Sequence, residues 1–207
     1  MSKRPIRIAF TGKMRSGKST AANRLRFEHG FDLISFATPI HRIADDYFSH
    51  MYEPIYEEAF VDCPFGGSIK RKVGTRKPRK VLQQVGQLLR EIDDEVWIRQ
   101  AQRMVEYSER FRDCKGVVID DLRQDNEAKW AKDNGFIIIR VNADESDRLA
   151  RIERAGDDFK AEDLRHETEQ YVDDIQADYD IWNGEGVSED ELRRRVDEIL
   201  AEIKASN

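Results

Sequence analysis

Apolar positions along the 207-residue chain gather into five short runs, separated by stretches with helical spacing. The runs are Ile6–Thr11, Asp32–Phe36, Gly116–Asp120, Phe136–Val141 and, with a weaker pattern, Tyr179–Trp182. The fourth, FIIIRV, is rich in β-branched residues and almost uninterrupted, which suits a strand covered on both faces of a parallel sheet. Helix-like segments between the runs read as βαβ winding. In the last segment Ser188 and Glu191 form a capping-box pattern, and Leu192, Val196, Ile199, Leu200 and Ile203 share one face. That pattern predicts a packing helix.

The stretch 37–113 is too long for a simple crossover. It holds a basic segment and then a helical stretch, VLQQVGQLLREIDDEVWIRQAQRMVEYSERF. It reads as an inserted substrate lobe on the carboxyl edge of the sheet, where open α/β sheets bind ligands. Neither an internal repeat nor a low-complexity linker interrupts the chain, so one sizeable α/β domain accounts for its length.

Charge refines this picture. Charged residues make up 37% of the chain and the formal net charge is −6, which argues against a general nucleic-acid binder. The distribution is uneven. Residues 63–80 carry Lys70, Arg71, Lys72, Arg76, Lys77, Arg79 and Lys80 with no acid, whereas 45–62 is acid-rich. The expectation for most of this basic segment is a mobile, solvated loop. The start, MSKRPIRIAF, has the character of neither a signal peptide nor a membrane span. Cys63 and Cys114 form no CxxC pair and the four histidines show no metal-ligand spacing, which fits a reduced, cytoplasmic protein.

Residues 12–19, GKMRSGKS, match the pattern GxxxxGK[ST] in full, between a strand-like run and a helix-compatible one. In such a loop the glycines let backbone N–H groups turn inward onto phosphate oxygens, and the following helix adds positive potential. Gly12, Ser16, Gly17 and Thr20 form the cradle, Lys18 reaches the outer phosphates, and the Ser19 hydroxyl ligates Mg²⁺. Lys13 and Arg15 either contact phosphates or are solvated. The loop predicts ATP and Mg²⁺ as cofactors but does not by itself separate kinases from other nucleotidases. No NKxD guanine signature is present. The run VVIDDLR ends in two acids, as motor ATPases require, whereas the short chain favours a small kinase.

At this point the chain resembles the deoxynucleoside monophosphate kinases of phage and bacterial type, within the P-loop superfamily. The resemblance rests on GKMRSGKST, Ser35-Phe36-Ala37, LQQVGQLLR with Asp93 to Trp97, VVIDDLRQDNEAKW, LRHETE and DYDIWNGEG, in that order. Ser19, Gln87 and Thr168 depart from the family pattern. The resemblance implies a three-layer P-loop fold with a five-stranded parallel sheet, an inserted acceptor lobe (37–113) and a lid (143–165). It implies transfer of the ATP γ-phosphoryl group to a deoxynucleoside monophosphate, and a phage-type origin. The alternatives are a small-metabolite kinase acting on phosphomevalonate or dephospho-CoA, and a regulatory module that binds ATP without transfer. Partners read as small-molecule nucleotides, with neither nucleic acid nor membrane called for and a homodimer left open.

The remaining candidates follow from charge and position. Asp121 orients a substrate hydroxyl or a Mg²⁺ water and Arg123 bridges donor and acceptor phosphates, unless the two only close a strand end with a salt bridge. Asp120 reads as sheet-flanking or as lying behind the site. Arg79, Gln83 and Arg90 are candidates for the acceptor phosphate. Arg148, Arg151 and Arg154 share a helix face. Arg151 and Arg154 are expected at the transferring phosphoryl group, against the alternative of a charged face paired with Asp147 and Glu153. Asn183 and Gly184 either approach the adenine or form a plain turn. His166 reads as structural or as a substrate-lobe contact, and Trp97, Trp130 and Trp182 as core or shelf residues.

Overall fold

The computed structural model describes residues 5–61, 67–76, 79–155 and 171–206, with backbone alone for the parts within 55–79 and for residue 155. Two compact units emerge: Met1–Phe36 with Ile98–Asn207, and Ala37–Trp97.

The larger unit is built on a parallel five-stranded sheet. Its strands are β1 (Ile6–Thr11), β2 (Phe31–Ile34), β5 (Gly116–Leu122), β6 (Ile137–Asn142) and β7 (Tyr179–Trp182), in the order β2-β5-β1-β6-β7. All five apolar runs are therefore strands, the first and last with the same bounds and the other three with ends shifted by at most two residues. β1 is central, paired with β5 on one side and β6 on the other. The chain thus leaves β1 at the point where successive crossovers run to opposite sides, where a crevice opens beyond the strand ends.

Side chains alternate across each strand, so both faces of β1 need cover. Ile8 and Phe10 join Val118, Ile139, Val141 and Ile181 in a core completed by Ala21, Ala22 and Leu25 of α1 (Lys18–His29). The last helix, α7 (Glu189–Ser206), adds Leu192, Val196, Leu200 and Ile203, as its spacing predicts. Ala9, Val117, Ile119 and Ile138 are equally buried. On that side lie α4 (Val96–Phe111) and α5 (Asp125–Asp133). Arg7 in β1 makes a double hydrogen bond to Glu109 of α4, 2.7 Å on each arm, and donates to the Asn134 carbonyl at 2.7 Å. Trp130 of α5 is half-buried and packs against Phe36 and Phe136, with ring centroids 5.9 and 5.4 Å away.

The excursion departs from its expected form. The helical stretch is two helices, α3 (Arg79–Ile92) and α4. Asp93 breaks it: its carboxylate accepts from the Glu95 N–H at 3.2 Å and its carbonyl from the Val96 N–H at 3.1 Å. The compact second unit ends at Trp97 rather than near residue 113. Beyond it, Ala101, Val105 and Ser108 of α4 are buried, and both Ser108 and Arg112 bond Asp32 of β2. That unit also contains α2 (Thr38–Phe48) and a hairpin of β3 (Glu53–Val61) and β4 (Gly67–Arg76). Much of the basic segment is therefore a strand, not a loop. The antiparallel register sets Glu57 opposite Arg71, Glu58 opposite Lys70 and Glu53 opposite Arg76. Pairs of opposite charge favour such a ribbon although lysine and glutamate are poor strand formers.

Among the described residues, no helix is long and apolar enough to cross a membrane. Cys114 is a free thiol, and Cys63 lies outside the described residues.

α1 and α7 are also joined at the surface. Arg24 donates to both Asp197 carboxylate oxygens, and His29 Nε2 lies 2.7 Å from Oδ1. The Arg24 bond, then the His29 bond, hold the Asp197 carboxyl below the usual carboxylate range against the opposing effect of burial. A depressed carboxylate pKa stabilises the fold above the unfolded value and is lost as pH falls through the folded one. Asp197→Asn is expected to lower the melting temperature by a few degrees at pH 7, and the gap from wild type should close below about pH 4 in thermal melts. A gap of the same size at pH 3 would contradict this assignment.

Candidate functional site

The loop of residues 12–17 leaves β1 and enters α1 at Lys18. α1 has Gly17 at its N-cap with no side-chain cap, and its first turn holds no acid. Its N–H groups and dipole therefore meet no acid of the helix's own, an arrangement that favours phosphate. Gly12 has φ 139° and Gly17 φ 111°. A Cβ on Gly12 would lie 2.3 Å from the Val141 carbonyl, and one on Gly17 2.3 Å from Asn183 Nδ2. Both glycines are thus required by close approach as well as by backbone angle. Arg15 sits at φ 61°, a strained left-handed conformation for a residue with a side chain.

A cleft of about 760 Å³ opens above this loop. Of the residues singled out from sequence, Arg15, Gly17, Lys18, Ser19, Thr20, Asp121, Arg123, Arg151, Arg154, Asn183 and Gly184 line it. Lys18 is only 6% exposed, and its ammonium donates to the Gly12 and Lys13 carbonyls at 2.6 and 2.7 Å. Lys13 itself turns away and pairs with Asp173 at 2.6 Å. Ser16 is fully buried behind the loop.

The two acids ending β5 divide their work differently from the expectation. Asp120 is the partner of Ser19, whose hydroxyl lies 3.1 Å from Oδ2. Burial, and next the neighbouring Asp121 charge, push Asp120 above the usual carboxylate range; the Ser19 bond and Lys18 oppose this. Asp121 instead accepts from the Ser35 hydroxyl at 2.6 Å and the Phe36 N–H at 2.9 Å, so it fastens the exit of β2 to the sheet. A hydroxyl and a carboxylate are oxygen donors of the kind Mg²⁺ takes alongside phosphates and water, so Ser19 and Asp120 fit that ion. Among the described residues no cluster of three or more His, Cys, Asp or Glu could hold a metal. That is compatible with an ion held mainly by nucleotide.

Arg123 follows β5 and is held from below. Glu127, buried in the first turn of α5, accepts from the Arg123 N–H at 3.0 Å and the Gln124 N–H at 3.2 Å. This capping box was not read from sequence, because glutamine is a less familiar N-cap than serine or aspartate; the spacing Gln124-x-x-Glu127 was its signal.

Helix α6 (Glu145–Ala155) presents Arg148, Arg151 and Arg154 toward the loop side. Arg151 donates to the carbonyls of Arg15 at 3.1 Å, Ser16 at 3.4 Å and Asn183 at 2.7 Å. Arg148 is buried and donates to the Met14 carbonyl at 3.4 Å. Arg154 lines the cleft. Asn183 is buried at the end of β7 and its amide donates to the Ser16 carbonyl at 2.7 Å. Trp182 beside it is partly exposed and its ring lies against Gly184, as a shelf.

Gln83 and Arg90, the acceptor candidates, belong to α3 in the second unit. Both are half-buried. Trp97 is buried in the same unit and donates to the Gly86 carbonyl at 3.1 Å. Arg79 opens α3, but the expectation for its side chain lies outside the described residues, as do those for His166, Thr168 and the lid beyond residue 155.

Because Asn183 closes directly on Gly17, Gly17→Ala should cost about 1–3 kcal/mol of stability through backbone strain and displacement of the Asn183 amide. Chemical denaturation checks this, together with nucleotide titration, where binding is expected to weaken at least tenfold. Wild-type stability and affinity would show that the loop tolerates the added carbon.

Comparison with known proteins places this geometry. Residues 8–173 match the AAA domain family. A protein of Acanthamoeba polyphaga mimivirus, named "Putative deoxynucleotide monophosphate kinase", is 32% identical over 151 residues, which is 66% of this chain and 74% of the relative. Among solved structures, a Thermus thermophilus protein superposes with a TM-score of 0.59 at 19% identity, covering 97% of this chain and 98% of its own. Dephospho-CoA kinase from Campylobacter jejuni superposes at 0.54 with 18% identity and the same coverage. A gluconokinase from Sinorhizobium meliloti gives 0.54 at 15% identity, over 97% of this chain and 94% of its own. These structures share the fold. The glycine-bounded loop, its buried lysine and the strand-end acid beside Ser19 are the parts such a domain needs to bind a nucleotide, and the chain belongs to the AAA domain family.

Proposed function

We propose that the protein transfers the γ-phosphoryl group of ATP to a deoxynucleoside monophosphate. The observation that carries phosphotransfer is the convergence, in one cleft, of the glycine-bounded loop with Lys18, the Ser19–Asp120 pair, and Arg123 and Arg154. The deoxynucleotide acceptor is supported by the likeness to the mimivirus relative.

In this reading the loop's N–H groups and Lys18 hold the donor phosphates. Ser19 and Asp120 would hold Mg²⁺, which supplies positive charge at the donor phosphate oxygens. An acceptor phosphate oxygen attacks the γ-phosphorus in line, and the bond to the bridging oxygen breaks with its electron pair leaving on ADP. The acceptor oxygen is already anionic, so no general base is required. Asp121 accordingly serves by holding the β2 exit rather than by taking a proton. Arg123 and Arg154 offer planar N–H donors to oxygens whose charge rearranges in transfer. Gln83 and Arg90, with Arg79, are proposed to bind the acceptor's phosphate.

A coupled assay of ADP release tests the reading. With Mg·ATP and a panel of deoxynucleoside and ribonucleoside monophosphates, phosphomevalonate and dephospho-CoA, a deoxynucleoside monophosphate is expected to give the largest stimulation. Slow hydrolysis unaffected by every acceptor would sink the proposal, and preference for a non-nucleotide would sink its acceptor assignment. Lys18→Ala should reduce kcat/KM by about 10³-fold or more while shifting the melting temperature by only a few degrees.

A further inference from the structure

A loop that points its N–H groups at phosphates must turn its carbonyls the other way. Those carbonyls still need donors when water is excluded from them. In residues 12–16 every carbonyl receives a side-chain donor. Lys18 serves Gly12 and Lys13. Arg148 serves Met14, Arg151 serves Arg15 and Ser16, and the Asn183 amide also serves Ser16. Arg151 then reaches the Asn183 carbonyl with its other terminal nitrogen, at 2.7 Å.

We infer that Arg151 and Asn183 form a positioning clasp that fixes the phosphate loop by its outer carbonyls, so that Arg151 acts on the nucleotide through the loop rather than at the transferring phosphoryl group. This inference rests on the loop being a nucleotide site, as proposed above. Three observations carry it. Both terminal nitrogens of Arg151 donate to carbonyls, three in all, contributed by two separate elements. Asn183 is buried, and its amide nitrogen occupies the space that a Cβ on Gly17 would take. The backbone N–H of Asn183 is itself fixed on the Asn142 carbonyl at 2.7 Å, so the clasp is anchored in the sheet and not in a loose turn. Arg148, one turn earlier on α6, supports the same loop from Met14. Arg154, one turn later, lines the cleft beside Arg151 and remains a phosphoryl-contact candidate.

The clasp and the phosphate-contact roles predict different responses to Arg151→Lys. A lysine keeps the charge but loses the planar fork that spans several carbonyls. If Arg151 clasps the loop, Arg151→Lys and Arg151→Ala should both weaken ADP binding by about tenfold in calorimetric titration, and should weaken a non-hydrolysable ATP analogue by the same factor. The ratio of the two affinities then stays at its wild-type value. Asn183→Ala should give the same signature, and the Arg151→Ala/Asn183→Ala double variant should be no more than about twofold worse than the weaker single. Melting temperatures measured without nucleotide are expected to stay within a few degrees of wild type, separating positioning from loss of fold. Three results would overturn the clasp: Arg151→Lys binding ADP like wild type, losses confined to the ATP analogue, or losses in the double variant that multiply. Failure of the wild-type protein to bind ADP would instead remove the nucleotide site, and with it the proposed function.

Discussion

A peptide unit cannot present its N–H to one side without presenting its C=O to the other. In residues 12–16 this constraint organises the larger unit. The carbonyls of this stretch are met by Lys18, Arg148, Arg151 and Asn183, which come from α1, α6 and the end of β7. The elements around β1 therefore do more than cover a sheet. They supply cations and an amide to five consecutive carbonyls, one of which, that of Lys13, also accepts from the Ser16 N–H at 3.2 Å. Carbonyl oxygens bonded to fixed donors resist rotation of their peptide planes, and the same planes carry the N–H groups that face the cleft.

The second organising pair is at the end of β5. Two adjacent carboxylates in one partly buried place repel each other, and the structure resolves this by giving each a different partner. Asp121 is bonded through both oxygens to the β2 exit, and Asp120 lies beside Ser19 and near Lys18. The first arrangement holds the framework of the cleft. The second leaves a carboxylate whose charge is poorly solvated, which is the condition under which a nearby cation is most welcome.

The sheet was legible in the chain because each buried strand is a dense apolar run, and α7 because its apolar residues return with helical spacing. The phosphate loop was legible because its glycines and lysine have no ordinary structural substitute. The hairpin was not. Its strands are written in charge rather than hydrophobicity, and neither Glu53–Val61 nor Gly67–Arg76 reads as a strand until the two are set side by side. The partners of Arg151 and Asp120 were hidden for a related reason. A sequence shows that a charged residue is near a site, but not whether its partner is a ligand or the backbone. Arg151 lies four residues beyond Asp147, yet its partners are carbonyls more than thirty residues away in either direction.

The hairpin changes the electrostatic character of the basic run. Alone, Lys70, Arg71, Lys72 and Arg76 would project a positive field well beyond the surface. With β3 paired alongside, the register puts Glu57 across from Arg71, Glu58 from Lys70 and Glu53 from Arg76, so three of those bases share a rung with an acid. The paired strands together hold four bases and three acids, so the excess of positive charge that β4 carries by itself falls to one across the ribbon, with Lys77, Arg79 and Lys80 following it in the chain.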